Sequence, residues 1–164
     1  MKVLSVTIFV FFISCTTHTH WTKKQKIEFA EKCSKTDSTD GLNFSLTGFS
    51  YNEVKEIVVR QIHQGQIVDS FYVYPNKNSF DSLRTRYSIY IDKSLYIKDT
   101  FQFIVPKYPP FILSDMKMIV WPQFSMFSEG YGCVMGDYKI DGIRFDHNAN
   151  PDFIKKGFKF SWDK

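Results

Sequence analysis

The sequence predicts a mainly β protein: an antiparallel β-sandwich or open barrel of about seven to nine short strands, preceded by one short N-terminal α-helix. Three observations carry that expectation. Alanine occurs only at Ala30 and Ala149, while the chain holds 17 Phe and 9 Tyr, a balance that suits pleated, half-buried surfaces better than helix bundles. From Leu42 onward apolar residues recur with a period of two, as in Leu42-Asn43-Phe44-Ser45-Leu46-Thr47. Turn signals separate the apolar runs, and Asp141-Gly142 is the strongest of them.

The helix comes first in the chain. Thr22-Lys23-Lys24-Gln25 has the form of a capping box, in which Thr and Gln side chains each satisfy a backbone donor of the other, so the helix is expected to begin at Lys23. Ile27, Phe29, Ala30 and Cys33 share one side of a helical wheel, opposite Lys24, Glu28, Glu31 and Lys32. The apolar side is expected to pack on the domain, with a membrane-lying helix as the alternative that its narrow stripe disfavours. Residues 34–41 are polar and turn-rich and end the helix.

Strands are then expected at residues 42–47, and at 54–62 and 67–74 around a two-residue Gln64-Gly65 turn. Residues 75–84 read as a polar connection. Further strands are expected at 87–91 and 101–105, with residues 106–110 as a loop, and at 112–121. Residues 132–140 and 143–145 flank Asp141-Gly142, and residues 153–162 supply a last strand. The sequence shows neither a βαβ rhythm nor an internal repeat, so residues 22–164 are read as one domain.

The N-terminus has a different character. Lys2 is followed by a mostly apolar run that includes Phe9-Val10-Phe11-Phe12 and closes at Ile13-Ser14-Cys15. A run of about eleven residues is too short to cross a bilayer of roughly 30 Å. A charged start, an apolar middle and a small-residue end are the parts of an export signal. Phe12-Ile13-Ser14-Cys15 resembles the lipobox of small lipoproteins of Gram-negative bacteria, with Phe12 where that pattern carries Leu. The resemblance covers Met1 to Cys15. It implies residues 1–14 as a signal peptide, two or three acyl chains on Cys15, and residues 15–21 as a lipidated tether. No acidic cluster follows Cys15, so the implied location is a periplasm-facing anchor at the outer membrane.

With Cys15 assigned to lipid, the remaining cysteines are Cys33 and Cys133. In an oxidising periplasm two readings are open for them: a disulfide closing a loop of about a hundred residues, worth roughly 4–5 kcal/mol, or two unpaired buried thiols. Their spacing does not fit a zinc site.

Charge narrows the partners. The formal net charge is +4, and loss of Lys2 leaves +3, with lysines spread along the chain, so nucleic-acid binding is not expected. Gly130-Tyr131-Gly132-Cys133-Val134-Met135-Gly136 is not a dinucleotide loop, because strand-like residues follow it; the glycines are expected to make a turn and a bulge. Asp146-His147-Asn148-Ala149-Asn150-Pro151-Asp152 begins like a calcium loop but places Pro151 where glycine is needed, and Gly157 where the bidentate Glu belongs. It reads as an Asx-rich turn. His18 and His20 fall in the tether, and His63 beside a turn is expected to be exposed. No nucleophile elbow, zincin motif or carboxylate couple occurs, so no enzyme, metal or cofactor is expected.

One stretch points to recognition. Trp121, Phe124, Met126 and Phe127 surround Pro122 in a segment read as loop, either as an exposed binding patch or folded back to plug the sandwich. The expected function is a non-enzymatic binding or structural role at the cell envelope, held there by lipid, with an envelope protein or glycan as partner. The alternative is a small-ligand or sugar-binding module that uses Tyr72, Tyr74, Trp121 or Phe124.

Overall fold

Thr22 closes its capping box: the Thr22 hydroxyl accepts from Gln25 N–H at 3.3 Å, and Thr22 N–H donates to Gln25 Oε1 at 2.8 Å. Helix α1 (Lys23–Ser34) follows in the computed structural model, which describes residues 20–124, 129–146 and 150–160. Of its expected apolar side, Cys33 is buried, whereas Ile27 is 50% exposed. The helix therefore seats through a narrower face than the wheel suggests.

In chain order the strands are β1 (Ser38–Thr39), β2 (Leu42–Thr47), β3 (Ile57–His63), β4 (Gln66–Val73), β5 (Phe80–Asp81), β6 (Arg86–Ile91), β7 (Leu95–Tyr96), β8 (Thr100–Ile104), β9 (Phe111–Phe124), β10 (Glu129–Ile140), β11 (Ile143–Phe145) and β12 (Asp152–Ile154). They form a six-stranded sheet, β11-β10-β9-β8-β3-β4, a four-stranded sheet, β12-β2-β6-β5, and a small β1-β7 pair. None of the sheets closes on itself. The protein is mainly β, an open sandwich, as its sequence period requires.

Alternation builds the core. Tyr87, Ile89 and Ile91 of β6 point inward while Ser88 and Tyr90 face out, and Phe101 and Phe103 of β8 repeat the pattern from the opposite sheet. The sheets meet at Phe44, whose ring lies 4.9 Å from that of Phe103. Phe153 of β12 wedges beside them, 4.6 Å from Phe103 and 5.2 Å from Phe111. Tilted rings at such spacings satisfy the aromatic quadrupole as well as filling space.

The two expected hairpin turns form. Gln64 and Gly65 take φ of 50° and 81°, and Asp141 and Gly142 take 50° and 83°. Positive φ at both central residues marks a type I′ turn, whose twist matches that of the flanking strands.

Four expectations need correction. Val54 ends a one-turn helix, Tyr51–Val54, because Ser50 N–H donates to the Glu53 carboxylate at 2.8 Å and starts a helix where a strand was expected. The last strand stops at Ile154, where a turn closed by Phe158 N–H to Lys155 C=O, with Gly157 at φ 82°, ends it. β12 also pairs parallel with β2, the parallel exception in an otherwise antiparallel set of ladders. Finally, Gly130 and Gly132 lie inside β10 rather than in a turn, while Gly136 does sit at a bulge between Met135 and Asp137. A Cβ there would come within 2.0 Å of Ile119 Cδ1, so any larger residue would require the Ile119 side chain to move.

β8 pairs with β9 only over Phe111–Leu113. Beyond it, β9 keeps β10 as its one strand neighbour as far as Phe124↔Glu129. The two strands thus leave the sheet as a two-stranded arm, bent by the register shifts at Met135/Asp137 and Asp137/Lys139. Helix α1 packs alongside this arm.

Candidate functional site

The junction of helix α1 with the arm brings together the two cysteines left open in the sequence, Cys33 and Cys133. Cys33 of the helix is disulfide-bonded to Cys133 of β10. One helical turn or two earlier, Lys26 Nζ donates to Glu129 Oε1 at 2.6 Å, and the Tyr131 hydroxyl donates to the same oxygen. Lys26 also stands 5.2 Å from the centroid of the Tyr131 ring. Trp21 completes the seat, edge-on to Phe29 at 5.3 Å and to Tyr131 at 5.2 Å. His20 Nδ1 lies 3.6 Å from Glu129 Oε2.

These contacts fix a direction. From Lys26 to Cys33 the helix rises about 10 Å, and from Glu129 to Cys133 the strand rises about 13 Å. The helix therefore lies along the arm with its N-terminus towards the arm's far end. The chain enters the described fold at that far end. Electrostatics hold it there: the Lys26 ammonium first, then the Tyr131 hydroxyl, bring the Glu129 carboxyl down to about 2, and Glu129 raises Lys26 in return. The first turn of α1 carries Lys23, Lys24 and Lys26 and no acidic residue, the reverse of what the helix dipole favours.

The expected patch is only partly brought to this place. Trp121–Phe124 is not loop but the end of β9, a correction to the sequence reading. Pro122 misled it; a strand flanked on one side alone tolerates the missing N–H. Trp121 stands opposite Gly132 in the register and is 42% exposed, so it does not plug the sandwich. Met126 and Phe127 lie outside the described residues, as do Cys15, His18 and His147.

A second feature lies on the outer face of the six-stranded sheet. Tyr72 and Tyr74 are 58% and 66% exposed, with rings 6.2 Å apart and 17° from parallel. Tyr72 lies on edge strand β4 and Tyr74 just past its end. Next to them Tyr72 faces Val58, while Arg60 of β3 donates to Gln102 of β8 at 3.5 Å.

A third feature escaped the sequence reading. Asp99 is buried and accepts from Gln61 Nε2 at 2.5 Å, with His63 Nδ1 at 2.6 Å from its other oxygen. His63 is half exposed, as its place beside the turn suggested, but it is oriented by a buried carboxylate. The sequence separation of 36 between the partners hid the pairing. Such a pair is two-thirds of a nucleophile-activating triad, yet no hydroxyl or thiol is bonded to His63 among the described residues.

A cleft of about 400 Å³ is lined by Lys98, Lys117, Lys139 and Arg144 with Asp115 and Asp137. Its cations are largely matched, Lys139 by Asp115 at 2.6 Å and Lys98 by Asp37 at 2.7 Å. Among the described residues no three His, Cys, Asp or Glu side chains converge to hold a metal, and no helix is long and apolar enough to cross a membrane. Compared with known proteins, the chain matches no family model, no curated protein and no solved structure.

Proposed function

We propose that this protein is an exported lipoprotein, anchored through acyl chains on Cys15 at the periplasm-facing outer membrane, with a non-enzymatic binding role in the cell envelope. The observation that supports this reading best is the position of the first described residues. His20 and Trp21 are clamped at the far end of a disulfide-locked arm, five residues from Cys15. A lipid on Cys15 would therefore keep the start of helix α1 and the neighbouring arm close to the bilayer. The disulfide suits an oxidising compartment.

The test is the intact mass of the protein from its native membrane fraction, with and without reductant. A chain beginning at Cys15 with acyl mass added, and two protons gained on reduction, is the expected result. A chain beginning elsewhere without lipid would overturn the anchor.

A second reading, capture of an envelope glycan, is favoured by the Tyr72–Tyr74 pair. Near-parallel exposed rings offer faces to the C–H surface of a sugar. Calorimetry with oligosaccharides released from peptidoglycan and lipopolysaccharide tests it. Binding that is lost in Tyr72→Ala/Tyr74→Ala with unchanged circular dichroism is expected; no binding to either class would remove this reading.

A further inference from the structure

We infer that the outer face of the four-stranded sheet holds a binding site for a small hydroxylated carboxylate, with Arg84 and Arg86 gripping its carboxylate group. The inference is independent of the anchored reading and concerns a different sheet from the Tyr72–Tyr74 pair.

Alternation brings the parts together. On β6, Tyr87 and Ile89 fill the core, so Arg86 and Ser88 fall on the outer side. On β2, Phe44 and Leu46 do the same and leave Ser45 and Thr47 outside. The register sets Ser45 opposite Ser88 and Thr47 opposite Arg86, with Asp152 of β12 beside Ser45. Over these strands lies a cleft of about 390 Å³ whose lining includes Arg84, Arg86, Asn43, Ser45, Ser88 and Asp152. A cleft of that volume suits a small molecule, and its polar walls suit a hydrated one.

Arg86 carries the argument. Its Nε is buried and has no hydrogen-bond partner among the described residues. Asp81 Oδ2 stands 4.0 Å from it and 3.9 Å from Arg84 Nε, both beyond hydrogen-bond reach. The other Asp81 oxygen already accepts from the Leu83 and Arg84 backbone N–H groups at 3.0 and 3.2 Å. An unmade hydrogen bond at a buried charged donor is costly, and an oxyanion is the partner that repairs it. Thr85, between the two arginines, takes φ 52°, a left-handed position that strains a β-branched residue. Its C=O accepts from Gly48 N–H at 2.9 Å. Strain of this kind persists where the surrounding structure holds it, and here it separates two arginines of one cleft.

Charge selects the ligand. Two guanidiniums and one carboxylate, Asp152, line the cleft, which leaves one net positive charge for a monoanion to balance. A dianionic phosphate would overshoot that balance, with Asp81 close to both arginines. A guanidinium fork matches the two oxygens of a carboxylate. Asp152 Oδ1 accepts from the Thr47 hydroxyl at 2.7 Å, which leaves its second oxygen to accept from a ligand hydroxyl. The Ser45 and Ser88 hydroxyls and the Asn43 amide add donors and acceptors along the wall.

Calorimetry on the full chain in non-ionic detergent, at fixed ionic strength, tests the site. The probes are D-glucuronate and D-gluconate, with D-glucose as the neutral counterpart and inorganic phosphate as the competing anion. Saturable binding of a carboxylate probe is expected, with none for glucose and binding of phosphate weaker by about tenfold or more. Arg86→Lys keeps the charge but removes the fork, and should weaken binding by about tenfold with unchanged circular dichroism. Arg84→Gln, at a more exposed position, should weaken binding as well without burdening the fold. No saturable heat from either carboxylate would overturn the proposal. Phosphate bound as tightly as the carboxylates would also overturn it, by marking a plain anion site. So would binding that both arginine variants leave unchanged and Tyr72→Ala/Tyr74→Ala abolishes, which would move the ligand to the other sheet.

Discussion

Lys26 and Glu129 lie 103 residues apart and meet at 2.6 Å, with the Tyr131 hydroxyl on the same carboxylate oxygen and the Tyr131 ring under the ammonium. The same three residue types meet again elsewhere. Lys155 donates to Glu53 Oε1 at 2.8 Å, the Tyr108 hydroxyl donates to that oxygen, and Lys155 sits 5.2 Å from the Tyr108 ring centroid. One clamp secures the N-terminal helix to the arm, and the other secures the segment after β12 to the one-turn helix.

Both clamps give the protein an acid-sensitive fold. Glu129 and Glu53 are each lowered from an ordinary 4.5 to about 2, Glu129 mainly by Lys26 and Glu53 mainly by Lys155. A depressed carboxyl takes up its proton more readily in the unfolded chain. The stability it adds is therefore complete above about pH 4.5 and is lost as pH falls towards 2. Urea midpoints measured across this window should fall with acidity, and Glu129→Gln/Glu53→Gln should flatten that slope. An unchanged slope in the double variant would show that the clamps do not link folding to protons.

The disulfide is expected to dominate the attachment of helix α1, which buries little apolar surface of its own. Its closed loop predicts a loss of about 4–5 kcal/mol in Cys33→Ser/Cys133→Ser on chain entropy alone. Urea unfolding measures the loss. Hydrogen exchange should at the same time show the helix amides opening well before those of β3 and β8. Equal protection of helix and sheet would assign the attachment to Lys26 and Trp21 instead.

Phe153 touches both sheets through Phe44, Phe103 and Phe111 and is fully buried. Phe153→Ala should cost about 3–5 kcal/mol in equilibrium denaturation. A cost near 1 kcal/mol would mean that the sheets close over the vacated space.

Gln64 occupies a left-handed position, φ 50°, that suits Asn or Gly better. Gln64→Asn should therefore stabilise the β3–β4 hairpin by roughly 0.5–1 kcal/mol. Thermal unfolding reads this directly, and a lower midpoint would count against the type I′ assignment.

What the sequence reveals follows the range over which each feature is written. Gln64-Gly65 and Asp141-Gly142 were legible because a type I′ turn is decided by two adjacent residues. The alternation of β6 and β8 was legible because one side of each strand meets the core. Ser50-Tyr51-Asn52-Glu53 displays a capping box that the β-rich run after it outweighed. Pro122 argued for loop because proline removes a donor, and nothing local says that β9 has a bare side at that point. The parallel seat of β12 on β2 and the Asp99–His63 pair depend on distant partners and leave no local trace. At the junction, the cysteine pair was open to either reading, while the Lys26–Glu129–Tyr131 clamp was hidden by distance.

The bridge between Cys33 and Cys133 also imposes an order on synthesis. A chain synthesised from its N-terminus delivers Cys33 a full 100 residues before its partner arrives. For that interval the helix has no covalent cross-link to the rest of the chain. Once closed, the bond ties the N-terminal helix to β10, a strand of the longest ladder in the fold. Under the proposed acylation, the Cys15 thiol is not available for a competing bridge.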